Sequence, residues 1–286
     1  MATELEIKLT LSEPAQRQAL DWLLALPEAE KGPRKTLVNR YYDTPDAALN
    51  KAKAALRVRQ AGDRYIQTLK TRGEFVNGAH NRQEWEWDLP GPELDLSLLE
   101  QTPLAGQLDL RNLALAFETN FSRQEVLLKT ADSLVEVAVD SGEVLGAGKA
   151  RALHEVEFEL KSGAPSSLMA WAEGLAGCVP VFLNLVSKAE QGYYLAGIYR
   201  PTLSDLDAPL TVTEFLHQLS QNWLLDQPLG GSEAALAGVE QAAIAAGEAA
   251  LWQEFKGLVE SGKTVPELMA QLPRLGELQL ALAQAN

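Results

Sequence analysis

The sequence predicts an α+β protein: an antiparallel β-barrel or sandwich of eight strands with covering helices, followed by a small all-helical C-terminal region. Over residues 1–200, polar and apolar residues alternate with period two in many short runs, separated by turn residues such as Gly62-Asp63, Gly91-Pro92 and Ser141-Gly142. Over residues 201–286, Ala and Leu recur at helical spacing, punctuated by Pro209, Pro228, Gly230-Gly231, Pro266 and Pro273. Charge divides the chain at the same place: the first part holds 22 Lys/Arg against 28 Asp/Glu, the second 3 against 11. Two domains are therefore expected, 1–200 and 201–286, with residues 201–209 as the linker.

In chain order, strands are expected over 3–11, 35–43, 54–61, 64–71, 82–89, 116–129, 133–140 and 151–161. Helices are expected near 13–26, 166–177 and 187–197, the first capped by Ser12 with Glu13 favourable in its first turn. The tail reads as three or four short helices.

At 286 residues and 46% hydrophobic content, the chain can build a sizeable core. Its net charge of −14 opposes nucleic-acid and anionic-membrane surfaces, which need a cationic field, so a polyanionic ligand requires a local basic cavity. The single cysteine, Cys178, excludes an internal disulfide. No stretch of ~18 apolar residues and no basic-then-apolar leader is present, and a cytoplasmic protein is expected.

Charged residues on alternate strand positions ordinarily face water. Here the charged faces are unusually uniform. Glu4, Glu6 and Lys8 share one face, Arg57 and Arg59 another, and Thr68 and Lys70 a third; Arg82, Glu84 and Glu86 align, as do Glu136, Ala138 and Asp140, and Glu155, Glu157 and Glu159. Like charges in a row repel, so such rows call for a cation among the carboxylates, and a divalent metal with oxygen ligands is the economical one. Charged faces turned inward around a barrel require outward apolar faces covered by helices. Inside it Arg57, Arg59, Lys70, Arg82 and Arg123 would grip phosphate oxygens, the division of labour that phosphoryl transfer needs. Trp85 and Trp87 read as outward packing, and His80, His154 and His217 as surface or structural residues, since they lack ligand spacing.

Taken in order, these residues resemble the CYTH domain, or triphosphate tunnel metalloenzyme, family. The resemblance rests on Glu4-Leu-Glu6-Ile-Lys8, Tyr41-Tyr-Asp-Thr-Pro-Asp46, Ala55-Leu-Arg57-Val-Arg59, Gln67-Thr-Leu-Lys70 and Arg82-Gln-Glu84-Trp-Glu86. It continues through Asn120-Phe-Ser-Arg123, Glu136-Val-Ala-Val-Asp140-Ser-Gly142, Glu155-Val-Glu157-Phe-Glu159 and Ser187-Lys188-Ala189. The layout is similar to bacterial inorganic triphosphatases that carry a helical region after the CYTH domain. The resemblance implies an eight-stranded antiparallel tunnel that binds a triphosphate and two Mg2+ or Mn2+ ions. By position it implies Glu4, Glu6, Asp140, Glu155, Glu157 and Glu159 as metal carboxylates, and Lys8, Arg57, Arg59, Lys70, Arg82, Arg123 and Lys188 as phosphate ligands. Glu4 and Lys70 are then the catalytic pair, Glu4 helping to hold the ion that activates the attacking water and Lys70 stabilising phosphoryl charge. Glu84 and Glu86 match acidic tunnel positions without an assigned contact.

Inorganic triphosphate is the expected substrate, because nothing in the sequence supplies a base pocket. Thiamine triphosphate or nucleoside triphosphate hydrolysis, class IV-type adenylate cyclisation, and a triphosphate- or polyphosphate-binding sensor are the alternatives. The acidic tail has only His217 and is expected to be a buttress or oligomer contact rather than a phosphate site, in a monomer or homodimer. Crowded carboxylates predict an alkaline optimum.

Overall fold

Strands with one polar and one apolar face close into a barrel here, with the polar face inside. The computed structural model describes residues 2–71, 73–76, 79–203 and 208–285, so positions 204–207 of the expected linker lie outside the described residues. The barrel is built from β1 (Ala2–Thr10), β2 (Ala29–Asp43), β3 (Ala55–Ala61), β4 (Arg64–Lys70), β6 (Ala79–Leu89), β7 (Ala114–Lys129), β8 (Leu134–Gly146) and β9 (Lys149–Ser162). Their order is β1-β9-β8-β7-β2-β3-β4-β6, with antiparallel neighbours, and β6 pairs back onto β1 to close the ring. Two short strands join its edges: β5 (Glu74–Val76) beside β6 and β10 (Phe182–Leu183) beside β1.

Helices α1 (Glu13–Ala25), α2 (Ala48–Lys51), α3 (Ser166–Ala176) and α4 (Lys188–Leu195) interrupt the strands. Ser12 caps α1 as expected, accepting the Ala15 amide at 3.3 Å. β2 begins six residues earlier than its alternation suggests. It crosses an irregularity between Lys31 and Arg34, where Pro33 offers no amide to a ladder and breaks the period-two pattern. Among the described residues the tail forms five helices rather than three or four: α5 (Val212–Leu225), α6 (Glu233–Ala245), α7 (Ala249–Glu260), α8 (Val265–Gln271) and α9 (Leu275–Gln284).

The outer face is apolar and covered. Ile7, Leu9, Val137 and Phe158 share one buried cluster with α1, α3 and the tail residues Phe215, Trp252 and Leu278. Leu56, Leu69 and Trp85 are sealed by Leu99 and Leu104, at and just beyond a 3-10 turn over Leu96–Gln101. Polar contacts fix the tail in register: Gln279 bonds the Leu183 backbone twice, at 2.8 and 2.9 Å, and Ser220 Oγ accepts the Leu185 amide at 3.0 Å. Arg151 donates to the Leu224 carbonyl at 2.8 Å and lies 4.3 Å over the Trp223 ring.

The inner face is not uniformly charged. Leu37, Phe121, Val144 and Leu153 share the inward parity of the charged residues on their strands and form an apolar plug with Ala61 and Leu195 of α4. Beside it Phe117 stacks on Tyr41 at 4.5 Å and meets Tyr193 of α4 edge-on at 4.9 Å. α4 comes so close that a Cβ at Gly192 would lie 2.0 Å from the Phe117 ring. One end of the lumen is thereby filled by α4 and its apolar partners.

Candidate active site

The rest of the lumen is a polar cavity of about 1460 Å³. Strand alternation aims into it Glu4, Glu6 and Lys8 from β1, Arg57 and Arg59 from β3, and Lys70 from β4. Arg82 and Arg123 enter from β6 and β7, Glu157 and Glu159 from β9, and Lys188 from the first residue of α4. A capping box between Ser187 and Glu190 fixes the start of that helix and so the root of Lys188.

These charges fall into two clusters. In the first, Glu4 accepts from Lys70 at 2.9 and 3.0 Å and from Arg82 Nε at 2.9 Å, while the other arm of Arg82 reaches Glu6 at 2.5 Å. Glu84 completes it, 3.3 Å from Lys70 and 3.8 Å from Arg57. Burial alone would raise the Glu4 carboxyl, yet Lys70 and Arg82 hold it well below the usual range. For Glu6 burial wins: it is pushed up to about 7 against the pull of Arg82, with Glu4 and Glu157 adding to the rise.

In the second cluster, Arg123 grips Asp140 with two nitrogens, each at 2.7 Å, and reaches Glu157 at 3.0 Å. Lys188 gathers Asp140, Glu155 and Glu157 at 3.0, 2.8 and 2.7 Å. Burial would raise Glu157, but Lys188 and Arg123 hold it well below the usual range, and the carboxylates in turn raise both cations.

Other tunnel cations are less neutralised. Lys8 is buried, donates to the Val186 carbonyl, and has its ammonium pushed down by that burial. Arg59 bonds Asn39 at 2.7 Å and is lowered to about 9 by burial and by its neighbours Arg57 and Arg123. The Nε of Arg57 is buried without a hydrogen-bond partner among the described residues.

Every expected phosphate ligand lines the cavity, as do Glu4, Glu6, Glu157 and Glu159. Asp140 and Glu155, expected with them as metal carboxylates, do not. They are 0% and 1% exposed behind Arg123 and Lys188, because those cations take the positions between them and the lumen. Gln191 of α4 also bonds Glu155, at 2.9 Å. Of the two acids left without a contact, Glu84 pairs with Lys70 and Arg57, and Glu86 accepts from Thr68 Oγ1 at 3.3 Å.

Among the described residues, no three acidic, His or Cys side chains converge in a metal-holding arrangement. The donor set nevertheless fits a hard divalent ion. Glu4 and Glu157 both act on Glu6, Glu4 acts on Glu159, and these oxygen donors from β1 and β9 face one cavity, where a hard divalent ion would favour the ionised form of Glu6 that burial disfavours.

Several cavity residues escaped the sequence reading. His80 shares the parity of Arg82, Glu84 and Glu86, and extending that row two positions back would have found it. Lys161 extends the β9 row in the same way and bonds Glu159 at 2.7 Å. His217, Gln218 and Gln221 had no such signal: α5 of the tail contributes them, so the tail forms part of the cavity wall as well as a buttress. His154 stays with structural partners, Ser141 and Gln16, at 3.3 and 3.1 Å.

The CYTH domain family matches residues 2–193. The inorganic triphosphatase of Haemophilus influenzae is 35% identical over 205 residues, which cover 68% of this chain and 55% of that protein. The chain thus spans little more than half the length of this curated relative. Among solved structures, a Hippeastrum protein described as an adenylyl cyclase candidate with a dominant triphosphatase activity aligns with a TM-score of 0.50 at 20% identity. That alignment covers 69% of this chain and 98% of the other, and at this identity it speaks to the fold.

Proposed function

This chain belongs to the CYTH family, and from that premise we propose that it hydrolyses inorganic triphosphate to pyrophosphate and phosphate inside the tunnel. The observation that carries the reading is a lumen in which buried cations and buried carboxylates face one cavity, closed at one end by α4. A passive polyanion binder gains nothing from the carboxylates. The name of the Haemophilus relative supports inorganic triphosphate over other triphosphates.

Arg57, with its unpaired Nε, together with Arg59, Lys8, Lys70, Arg82, Arg123 and Lys188, binds and orients the phosphate chain. Asp140 and Glu155 act behind them by holding Arg123 and Lys188 in place. Glu4, Glu6, Glu157 and Glu159 would hold Mg2+ or Mn2+, two ions in this reading. A bound divalent ion supplies Lewis acidity toward the phosphoryl oxygens and the attacking water. Lys70 and Arg82, paired here with Glu4, line the cavity and would stabilise charge on substrate oxygens once that pairing is relaxed.

No helix among the described residues is long and apolar enough to cross a membrane. A cytoplasmic monomer or homodimer acting on a small molecule, without nucleic acid or membrane partners, completes the proposal. Phosphate release from inorganic triphosphate, thiamine triphosphate, ATP and pyrophosphate, each with Mg2+, Mn2+ or EDTA, tests it. Metal-dependent release chiefly from inorganic triphosphate is the expected result; release chiefly from ATP or thiamine triphosphate would overturn the substrate, and release from none the hydrolase.

A further inference from the structure

Lys53 lies on the cavity wall but belongs to neither charge cluster. It follows α2 in the left-handed backbone region, at φ 57°, where a side chain costs energy and glycine does not. Lys51, two residues earlier, points elsewhere and pairs with Asp46 at 3.6 Å. The turn at Lys53 is held by its amide bonding the Asn50 carbonyl at 2.9 Å.

Two properties separate Lys53 from the deeper cations. It is exposed, so it stands at the rim. No carboxylate among the described residues pairs with it; its ammonium instead lies 5.7 Å over the Tyr199 ring, which also faces the cavity. An aromatic ring positions an ammonium without cancelling its charge, so the Lys53 ammonium keeps its charge for an anion. Glu190, the one acid that acts on Tyr199 electrostatically among the described residues, has its carboxylate held in the α4 cap by the Ser187 amide and hydroxyl and is not paired with Lys53.

The cavity volume also exceeds the roughly 300–1,000 Å³ of ordinary small-molecule sites, leaving room beyond a triphosphate. We infer that Lys53, held over Tyr199 and flanked by Asn50, forms an outer anion subsite that takes the phosphate projecting past those gripped in the tunnel. The ligand class is a linear polyphosphate of four or more phosphates. This rests on the proposed phosphate grip of the tunnel, and it makes Lys53 a determinant of chain-length preference rather than of the bond-breaking step.

The test compares linear tetraphosphate with tripolyphosphate for the wild type, Lys53→Gly, Lys53→Gln and Lys53→Arg. Glycine suits the left-handed backbone, so folding is not at risk, and thermal melting verifies this. The expected result is that Lys53→Gly and Lys53→Gln raise KM for tetraphosphate about fivefold more than for tripolyphosphate. Lys53→Arg should restore the wild-type ratio, and added salt should shrink it. An unchanged ratio in both neutral variants would overturn the subsite. If the wild type hydrolyses neither chain, the hydrolase reading fails by itself. Calorimetric affinities of the two chains in EDTA then decide the subsite: a tetraphosphate preference lost in Lys53→Gly supports it, and equal affinities in the wild type refute it.

Discussion

Lys188 and Lys70 each collect carboxylates inside the same barrel, but they do so from different footings. Lys188 is rooted in the capped first turn of α4, is 9% exposed, and holds three acids, of which Asp140 and Glu155 are fully buried and Glu157 is half-buried. Lys70 ends β4, is 20% exposed, and shares Glu4 with Arg82. Buried charge without its partner is expensive, whereas a pair nearer water can be re-solvated. On the proposed function, the Lys188 cluster is therefore a scaffold that holds cations in place, and the Lys70 cluster a set of partners that would be exchanged for metal and substrate. Fixed and exchangeable charge coexist because α4 closes one end of the lumen and leaves the other wet.

The sharpest way to break this comparison is to remove each lysine. Lys188→Met leaves the buried Asp140 and Glu155, and the half-buried Glu157, short of a cation and should lower unfolding stability by about 3–5 kcal/mol in urea titrations. Lys70→Met should cost about 1 kcal/mol while still abolishing most turnover. Equal losses of stability would erase the distinction.

Neutralising the acids comes next. Glu4→Gln should reduce kcat on tripolyphosphate about a hundredfold with little loss of stability, since it also relieves repulsion on Glu6. Glu157→Gln should cost similar activity and, because it removes the shared partner of Lys188 and Arg123, more stability. A stable, fully active Glu157→Gln would sink the assignment of this side chain.

The pH response should differ in the same sense. Glu6 titrates near 7 when folded against 4.5 for the free carboxyl, so the folded state holds its proton more tightly. Its contribution to stability is present below pH 4.5 and is lost as pH rises from about 4.5 to about 7. Glu157 is lowered, so its contribution is present at neutral pH and lost only as pH falls below about 4.5. Metal binding needs Glu6 ionised, so turnover should climb through about pH 7, and Glu6→Gln should remove the neutral-range slope of stability. A rate profile flat down to pH 5 would contradict this.

The smallest effect concerns the tail. Arg151→Ala loses two carbonyl bonds and the Trp223 stack, and should lower stability by about 1 kcal/mol in urea titrations while leaving KM unchanged. A large change in KM would mean that α5 positions substrate directly.

Much of this was written locally in the chain. Period-two alternation with uniform charge, as in Glu4-Glu6-Lys8 and Arg57-Arg59, fixed which residues share a face, because strand side chains alternate strictly. Gly62-Asp63 marks a true strand turn, whereas Ser141-Gly142, expected as another, lies inside β8 opposite Ser122 and Phe121; Ser12 and Ser187 cap their helices. The long reach of β2 was hidden, since Gly32-Pro33 interrupts the pattern that would have revealed it.

Only the tertiary structure decided what each face meets. Alternation says that Asp140 and Arg123 point inward, but not that Arg123 stands in front and screens Asp140 from the cavity. Nor does it separate the apolar inward residues Leu37 and Phe121, which plug one end, from the charged ones on the same strands. Helical spacing in the tail predicted apolar faces without saying that α5 would bring His217 to the wall. The sequence by itself determined the inventory and the facing of each strand, because those are set by neighbours along the chain. Depth, screening and partnership depend on residues distant in the chain, as Glu4 is from Lys70 and Glu157 from Lys188, and only the folded barrel with α4 against it brings these together.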